Sequence, residues 1–442
     1  MAHSTLTFRI QPGGKLQGEL RVPGDKSVSH RSIMMGAIAE GVTEVSGFLS
    51  AEDCLSTIQA FRQMGVRIEG PEAGHVRIHG VGLHGLTGSE APLDLGNSGT
   101  SMRLLSGLLS GQAFDSVLFG DESLNRRPMK RVTEPLKSMG AVIDTTNAGT
   151  APLHIHGGQR LHGIAYDMPV ASAQVKSCLL LAGLYADGET RVREPAPTRD
   201  HTERMLTGFG YPWRRDGDWI ALSSGGSLRG TQIDVPSDIS SAAFFLVGAS
   251  IAPGSDVLLR HVGMNPTRTG VIDILRLMGA ELEVLNARII GGEPVADIRV
   301  RSRPLHGIVI PEHLVPLSID EFPALFVAAA CAEGETVLTG AEELRVKESD
   351  RIQVMADGLS ALGIEANPTP DGIRIRGGQL GGGAIVSHGD HRIAMSFAIS
   401  ALRAQGEVVV RDCRNVATSF PGFVDLAAGL GLAITAADET AP

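Results

Sequence analysis

The chain has 442 residues, of which 43% are hydrophobic, 20% are charged and 4% are aromatic, and its formal net charge at pH 7 is −10. This length predicts two domains of about 200 residues each, and the composition, with 55 glycines, is typical of a globular protein rich in turns. The negative charge and the scarcity of aromatic rings argue against nucleic acid or an anionic membrane as a partner, so any anionic ligand must be small.

The cysteines and the N-terminal residues give no sign of export. Thr7, Arg9 and Gln11 interrupt the apolar residues near the N-terminus, and the longest apolar run, residues 242–251, is too short to span a bilayer. The cysteines lack paired spacing, which predicts inert thiols in a reducing compartment rather than disulfides or a zinc site: Cys54, Cys178, Cys331 and Cys413. We therefore expect a cytoplasmic protein.

One pattern of helix end recurs six times along the chain. A long apolar residue and a glycine close a predicted helix, and a strand with alternating apolar residues follows in most copies. The glycines, which are suited to the left-handed conformation that ends many helices, are Gly65, Gly140, Gly210, Gly279, Gly363 and Gly431. Successive copies lie about 70 to 85 residues apart, a period that indicates an internal repeat.

A second pattern, a polar cap followed by a helix of small and apolar residues, precedes each of these helix ends. Its copies begin near Asp25, Asn97, Ser172, Ser237, Asp320 and Asp390. The two patterns together predict an α/β (α+β) fold of six βαβ-type units, three in each domain. If the units of a domain are arranged alike, their helix N-termini converge and attract a compact anion.

The starts of the first two units carry groups suited to such a ligand. Residues 23–31 place Lys26, Ser27 and Arg31 within about two turns of a helix start, close enough to hold one ligand with two anionic groups. Residues 95–103 combine glycines, which permit close backbone approach, with Asn, Ser and Thr caps. Each segment by itself is equally compatible with an ordinary capped helix.

Two further segments of the N-terminal half are candidates. Residues 125–128 place two arginines before a proline, and a planar guanidinium matches a carboxylate or phosphate, although such pairs also occur on plain surfaces. Residues 170–177 bring a hydroxyl and an amide to the third helix start, where they would orient a polyhydroxylated ring or simply cap the helix.

In the C-terminal half, Asp320 and its neighbour Glu321 precede a very apolar helix, a setting in which the proton affinity of a carboxylate is tuned for general base catalysis. Lys347 and Arg351 are four residues apart, so both face one side of a helix, with Glu348 beside them. The alternative interpretations are a helix cap and a solvated charged helix.

The sixth unit begins with residues 387–395. A metal site formed by His388, Asp390 and His391 is one interpretation of this segment. We favour the other, in which Asp390 caps the helix and Arg392 is directed at the ligand, because it repeats the pattern of the first unit.

Taken in order, these segments resemble 5-enolpyruvylshikimate-3-phosphate synthases over essentially the whole chain. The matching motifs are Pro23-Gly24-Asp25-Lys26-Ser27 with Ser29-His30-Arg31, Gly96-Asn97-Ser98-Gly99-Thr100, Arg127-Pro128-Met129, Ser172-Ala173-Gln174, Asp320-Glu321, Lys347-Glu348-Ser349-Asp350-Arg351 and Asp390-His391-Arg392-Ile393-Ala394-Met395. The Ser-Ala-Gln form and residues 265–270 look closest to the bacterial class II type, which includes members that tolerate the herbicide glyphosate.

The resemblance implies a two-domain enolpyruvyl transferase fold, an inverse α/β barrel of six βαβαββ repeats. We expect residues 22–235 to form the N-terminal domain, and residues 1–21 and 236–442 the C-terminal domain, with two crossover strands. By resemblance the substrates bind between domains that close around them, with no metal and no cofactor, and we expect a monomer.

The resemblance also implies the reaction: the enolpyruvyl (1-carboxyvinyl) group of phosphoenolpyruvate moves to the 5-hydroxyl of shikimate 3-phosphate through a tetrahedral intermediate, releasing phosphate, in aromatic amino acid biosynthesis. The residues implied to hold shikimate 3-phosphate are Lys26, Ser27, Arg31, Ser172, Ala173, Gln174, Asp320 and Lys347. Those implied around phosphoenolpyruvate are Lys26, Gly99, Arg127, Gln174, Arg351 and Arg392. Asp320 would accept the hydroxyl proton, and Lys26 and Glu348 would carry the proton to and from the methylene carbon.

Two residues depart from the family pattern. Thr418 stands where many members have a lysine, two residues before a Phe-Pro pair, which puts one cationic contact to phosphoenolpyruvate in doubt. Gly99 stands where tolerant members carry alanine, so the resemblance does not imply glyphosate tolerance.

Two alternatives share the fold. An enolpyruvyl transferase acting on UDP-N-acetylglucosamine uses a loop cysteine where this chain has Glu122, which disfavours it. A ligand-binding protein without catalysis is disfavoured by the presence of Lys26, Asp320 and Glu348.

Overall fold

The computed structural model describes residues 4–440, which form two compact units. Unit 1 comprises the described residues up to Pro23, Pro236–Ile289 and the described residues from Pro294 onward; unit 2 comprises Gly24–Val235 and Ile290–Glu293. The sequence prediction assigned residues 22–23 and 290–293 to the opposite domains. The second difference arises because Ile290–Glu293 form the tip of a long hairpin of unit 1, and this tip groups with unit 2.

Helices and strands are interspersed along the whole described chain. The strands are β1 (Ser4–Ile10), β2 (Gln17–Leu20), β3 (Glu40–Ser46), β4 (Arg67–Glu72), β5 (His75–Val81), β6 (Leu93–Asp94), β7 (Ser116–Phe119), β8 (Val142–Asp144), β9 (Leu153–His156), β10 (Ala165–Asp167), β11 (Glu189–Arg193), β12 (Arg214–Asp216), β13 (Trp219–Ser223), β14 (Gln232–Asp234), β15 (Asp256–Gly263), β16 (Glu281–Ile290), β17 (Glu293–Arg301), β18 (Glu335–Leu338), β19 (Glu365–Thr369), β20 (Gly372–Arg376), β21 (Gly383–Val386), β22 (Val408–Arg411) and β23 (Ile434–Thr440). The helices are α1 (Lys26–Ala37), α2 (Glu52–Gln63), α3 (Gly99–Ser110), α4 (Glu122–Arg126), α5 (Lys130–Ser138), α6 (Ala173–Gly183), α7 (His201–Gly208), α8 (Ile239–Ile251), α9 (Gly270–Leu277), α10 (Phe322–Ala330), α11 (Arg351–Ala361), α12 (His391–Ser400) and α13 (Phe423–Leu430). Short 3-10 helices cover Glu312–Leu314, Glu342–Val346, Ala401–Arg403 and Arg414–Thr418.

The six sheets found among residues 4–440 share one strand order. In unit 2 the orders are β14-β3-β5-β4, β6-β7-β9-β8 and β10-β11-β13-β12, and in unit 1 they are β2-β15-β17-β16, β18-β20-β19 and β21-β22-β1-β23. Each four-stranded sheet begins with a parallel pair, which is followed by an antiparallel neighbour. The three-stranded sheet has a parallel bridge from Val309 to Val337 in the place of the missing strand. This recurrence confirms the six predicted repeats.

The helix-ending glycines adopt the conformation that the sequence pattern predicts. Their φ angles are 85° at Gly65, 100° at Gly140, 78° at Gly210, 95° at Gly279, 85° at Gly363 and 112° at Gly431. Because a side chain is strained at such angles, glycine at these positions lets each outer helix stop and the next strand begin.

Three helices form the centre of each unit. In unit 2 these are α1, α3 and α6, and in unit 1 they are α8, α10 and α12. Nearly all their residues are buried, which agrees with sequences made mainly of small and apolar residues, with the charged side chains concentrated near the helix starts. The sheets pack around these helices, so helices lie inside and strands outside, as in an inverse barrel.

The four cysteines are free thiols, three of them buried, as the sequence predicts. Within residues 4–440, no helix has both the length and the apolar character needed to cross a bilayer.

Candidate active site

In unit 2 the N-termini of the three central helices are capped and joined by hydrogen bonds. Asp25, Ser98 and Ser172 cap α1, α3 and α6 with their side chains. The Gln174 side-chain amide at the start of α6 donates a 3.0 Å hydrogen bond to the Thr100 hydroxyl at the start of α3. The predicted convergence of helix starts is therefore present within this unit, and it concentrates N–H donors and positive helix-dipole ends.

Two buried arginines flank the start of α3. A Cβ built on Gly99 would lie 3.1 Å from Nη1 of Arg127 and 3.2 Å from Nη1 of Arg103. Arg127 Nη2 donates to the Asn97 side-chain oxygen at 2.6 Å, and Arg103 Nη1 donates to Gln174 Oε1 at 2.5 Å. Two guanidinium groups held beside a helix N-terminus are well suited to bind a carboxylate or a phosphate.

Sequence reasoning assigned Arg127 but gave no role to Arg103. The signal was available, because Arg103 follows Gly99 by four residues and therefore lies on the same face of the helix. Spacing alone does not distinguish it from a structural arginine, however, and its contact with Gln174 depends on the packing of α3 against α6.

Lys26 and Arg31 on α1 occupy different surroundings. Lys26 Nζ lies 2.7 Å from Asp53 Oδ2, and the lysine side chain is 17% exposed. Arg31 is buried and donates to the hydroxyls of Thr202 and Ser177, each at 2.8 Å. Lys26 therefore lies at an accessible helix start, whereas Arg31 is held among interior hydroxyls. Asp53, the partner of Lys26, was not predicted from the sequence.

His30, one turn into α1, is completely buried in a hydroxyl-rich pocket. Its Nδ1 lies 2.9 Å from Thr57 Oγ1 and 3.3 Å from Ser101 Oγ. Burial, together with the nearby Lys26 and Arg31 cations, lowers the pKa of His30 to about 3. The imidazole is therefore neutral near pH 7, and it connects α1 to α3.

We expect His30 to make the protein sensitive to acid. Its pKa is 6.5 when unperturbed and about 3 in the folded protein, so below pH 6.5 the unfolded chain binds a proton that the folded chain excludes. The free energy of unfolding should fall by about 1.4 kcal/mol per pH unit from this group as the pH drops from 6.5 towards 3. Urea unfolding of the chain and of His30→Asn at several pH values measures this slope. The variant should show the smaller slope, and equal slopes would contradict the assignment.

In unit 1, Asp320 is surrounded by three cations. Its Oδ1 lies 3.2 Å from Arg351 Nη1 and 3.4 Å from Lys347 Nζ, and its Oδ2 lies 4.0 Å from Arg392 Nη2. Arg392 also donates to the Asp320 backbone carbonyl at 3.1 Å. The predicted residues 320, 347, 351 and 392 are thus gathered around one partly exposed carboxylate.

Arg351 is the buried centre of this group. It is 1% exposed and contacts Asp390 at 2.8 Å, Glu348 at 2.6 Å and Asp320 at 3.2 Å. Burial alone would lower its pKa, but the three carboxylates raise the pKa above its ordinary value. The guanidinium therefore orients Glu348 and Asp320 relative to each other. A ligand can contact Arg351 directly only if it replaces one of these carboxylates.

The neighbouring carboxylate has a separate role. Glu321 is buried, accepts a hydrogen bond from the Ser240 hydroxyl and lies 3.8 Å from Arg268 Nη2. Arg268 also contacts Asp238, the cap of α8. Of the two adjacent acids, only Asp320 belongs to the partly exposed cationic group.

Two further predictions concern the sixth repeat. Asp390 caps α12 through the backbone amide of Arg392 and accepts hydrogen bonds from Arg351 and Ser349, which supports capping over the metal alternative. The hydroxyl of Thr418 donates to the Asn415 carbonyl at 2.7 Å, and this residue is buried. Thr418 therefore supplies no charge at the position where many members of the family that the sequence resembles have lysine.

Comparison with known proteins identifies the family. The model of the family described as EPSP synthase (3-phosphoshikimate 1-carboxyvinyltransferase) matches residues 10–426. The chain belongs to the EPSP synthase family. The 3-phosphoshikimate 1-carboxyvinyltransferase of Methylococcus capsulatus is 72% identical over 434 residues, which cover 98% of this chain and 99% of that protein. The protein of the same name from Nitrosococcus oceani is 68% identical, with 98% of each chain covered.

Solved structures agree with this membership. EPSP synthase from Acinetobacter baumannii is 62% identical and superposes with a TM-score of 0.88, covering 98% of this chain and 100% of that one. The enolpyruvyl transferase NikO from Streptomyces tendae is 17% identical and covers all of both chains with a TM-score of 0.79. The second likeness shows the fold alone, which is the predicted enolpyruvyl transferase fold.

Proposed function

We propose that two groups of side chains, one in each unit, carry out the reaction of the EPSP synthase family, the transfer of the enolpyruvyl group of phosphoenolpyruvate to the 5-hydroxyl of shikimate 3-phosphate. The group in unit 2 contains Lys26, Gly99, Arg103, Arg127 and Gln174, and the group in unit 1 contains Asp320, Lys347, Glu348, Arg351 and Arg392. The observation that supports the proposal most is the position of Asp320 against three cations.

The arginines of unit 2 suit the anionic ends of phosphoenolpyruvate. Nη1 of Arg127 and Nη1 of Arg103 lie 3.1 and 3.2 Å from the place where a Cβ on Gly99 would be, so the glycine lets both guanidinium groups approach the first turn of α3 closely. Guanidinium forks and helix N–H groups stabilise negative charge more strongly when they are fixed in advance. We assign Arg103 to the same task as Arg127, in addition to the residues implied by the family resemblance.

The cap and first turn of α6 suit shikimate 3-phosphate. Ser172 and Ala173 lie where the backbone amides of a helix start face outward, and Gln174 is already fixed by its bonds to Arg103 and Thr100. The proposed set is completed by Lys26, Ser27 and Arg31 on α1 and by Asp320 and Lys347 in unit 1. Arg31 is the least accessible of these, because its guanidinium donates to Thr202 and Ser177.

Asp320 is proposed as the base. As the 5-hydroxyl oxygen attacks the central carbon of phosphoenolpyruvate, Asp320 accepts the hydroxyl proton while the methylene carbon gains a proton and becomes a methyl group. This gives a tetrahedral intermediate with two phosphates and two carboxylates, one of each from either substrate. Loss of a methyl proton with cleavage of the carbon–oxygen bond to phosphate then gives the product. Lys26 and Glu348 are proposed to carry the proton to and from this carbon.

Release of inorganic phosphate tests the reaction directly. Phosphate should appear only when shikimate 3-phosphate and phosphoenolpyruvate are both present, and omission of either should abolish it. Release with UDP-N-acetylglucosamine in place of shikimate 3-phosphate would instead support the alternative acceptor, and ligand binding without turnover would indicate a non-catalytic relative. A cytoplasmic location and a monomeric state stay predictions from the sequence.

Gly99→Ala is expected to raise the concentration of glyphosate needed for half-inhibition by at least about tenfold, with a smaller rise in KM for phosphoenolpyruvate. The added Cβ would approach the two guanidinium groups to 3.1 and 3.2 Å, so each must give way by a few tenths of an ångström. A larger inhibitor tolerates this less well than the smaller substrate. Inhibition curves at fixed phosphoenolpyruvate measure the effect, and unchanged inhibition would refute it.

A further inference from the structure

A cluster of two histidines and an aspartate lies on the exposed face of one sheet in unit 2. In β9, Leu153 and Ile155 are buried, so His154 and His156 both point away from the core. Asp115 immediately precedes the neighbouring strand β7, and Asp144 ends β8 on the other side. The family resemblance gives no role to any of these residues, and the proposed reaction uses none of them.

The ligand atoms of this cluster lie close together. Asp115 Oδ2 is 3.5 Å from His154 Nε2 and 3.8 Å from His156 Nδ1, and all three ligand atoms lie within 4.8 Å of one another. The two imidazole rings are 4.3 Å apart between centroids. Tetrahedral coordination with bonds of about 2.0 Å requires ligand atoms about 3.3 Å apart, so small side-chain rotations suffice to bring the atoms into place.

Two further contacts orient the ligand atoms. The Gly157 amide donates to Asp115 Oδ1 at 2.9 Å, which leaves Oδ2 directed at the histidines. His156 Nε2 lies 2.8 Å from Asp144 Oδ2. When Nε2 carries the proton and donates to Asp144, Nδ1 presents its lone pair on the side of Asp115 and His154. Carboxylate-supported imidazoles of this kind are typical of metal-binding histidines.

We propose that Asp115, His154 and His156 bind a divalent transition metal ion, with Asp144 as the residue that positions His156. Two imidazoles and a carboxylate are ligands that Zn²⁺ accepts, and three protein ligands on an exposed face leave the remaining position to water. The charges of Asp115 and Asp144 balance that of the dication. The competing interpretation is an exposed ion-pair cluster that holds no metal. This proposal is independent of the proposed reaction.

Zn²⁺ titration of the full chain by isothermal calorimetry tests the site. We expect one saturable site per chain and loss of that site in the double variant His154→Ala/His156→Ala. Asp144→Asn should weaken binding by about 10- to 100-fold. The matched control is His79→Ala, which removes a partly exposed histidine whose Nε2 lies 2.9 Å from Glu69 Oε1. This variant should leave the affinity unchanged.

Two outcomes would overturn the proposal. One is the absence of saturable Zn²⁺ binding to the unaltered chain, and the other is binding of equal affinity and stoichiometry in the double variant. Circular dichroism and the thermal midpoint of the double variant establish that it is folded, so that lost binding reports the ligands rather than the fold. With the folded double variant, equilibrium dialysis against Cu²⁺ should likewise show loss of one bound ion per chain, and retention of that ion would count against the proposal.

Discussion

Asp320→Asn is expected to lower kcat by about 10²- to 10⁴-fold, because the variant keeps the shape of the side chain but cannot accept a proton. Its amide also removes the negative charge from between Lys347, Arg351 and Arg392, which lie 3.4, 3.2 and 4.0 Å from the carboxylate oxygens. Steady-state phosphate release with saturating phosphoenolpyruvate and shikimate 3-phosphate measures kcat. The thermal midpoint, measured in parallel, reports how far the unbalanced cations destabilise the fold.

Glu343→Gln is the matched control for this variant. It removes another carboxylate near Lys347, at 3.9 Å, that has no proposed part in the reaction. A change of less than threefold in kcat is expected for the control. If Asp320→Asn retained more than a tenth of the original kcat while folded, another group would have to accept the hydroxyl proton.

Arg127→Ala is expected to lower kcat/KM for phosphoenolpyruvate by about 30- to 1000-fold, corresponding to about 2 to 4 kcal/mol. Arg127 is 8% exposed, and its position beside Asn97 is fixed, so its guanidinium is prepared for an anion before the ligand arrives. The variant removes this charge without a substitute. Initial rates with varied phosphoenolpyruvate and saturating shikimate 3-phosphate give the ratio.

The preceding residue provides an unusually close control. Arg126 is 73% exposed on its side chain and pairs with Glu122 one helical turn away. Arg126→Ala should therefore change kcat/KM by less than about threefold, because an exposed ion pair contributes little. Equal losses in the two variants would show that long-range charge, rather than the fixed Arg127 fork, governs binding of phosphoenolpyruvate.

Much of the fold was predictable because its signals are local. The glycines after the outer helices have the positive φ angles that their sequence context predicts, and Asp25, Ser98, Ser172 and Asp390 cap helices with their own side chains. Signals of this kind depend on a few neighbouring residues, so they can be recognised without knowing which helices and strands pack together. Their repetition six times then predicted the number of units. Among the six central helices the exception is α10, where Glu321 precedes the helix without a side-chain capping bond.

Packing between repeats decided which of several similar residues belong to the candidate site. Residue type and spacing do not distinguish Arg126 from Arg127, or Asp320 from Glu321, and only the family resemblance selected Arg127 and Asp320. In the structure, one member of each pair lies in a cationic group and the other does not. Arg103 was missed because its partner Gln174 is 71 residues away.

The sequence by itself determined the repeated architecture, the helix starts and the chemical types gathered there, because these depend on short-range backbone preferences and apolar patterning. Only the tertiary structure decided that Arg351 joins three carboxylates, that Lys26 pairs with Asp53, and that two histidines face Asp115 across neighbouring strands. Such contacts depend on which elements become neighbours after folding. That choice is made by the burial of whole helices and sheets, and no single segment encodes it.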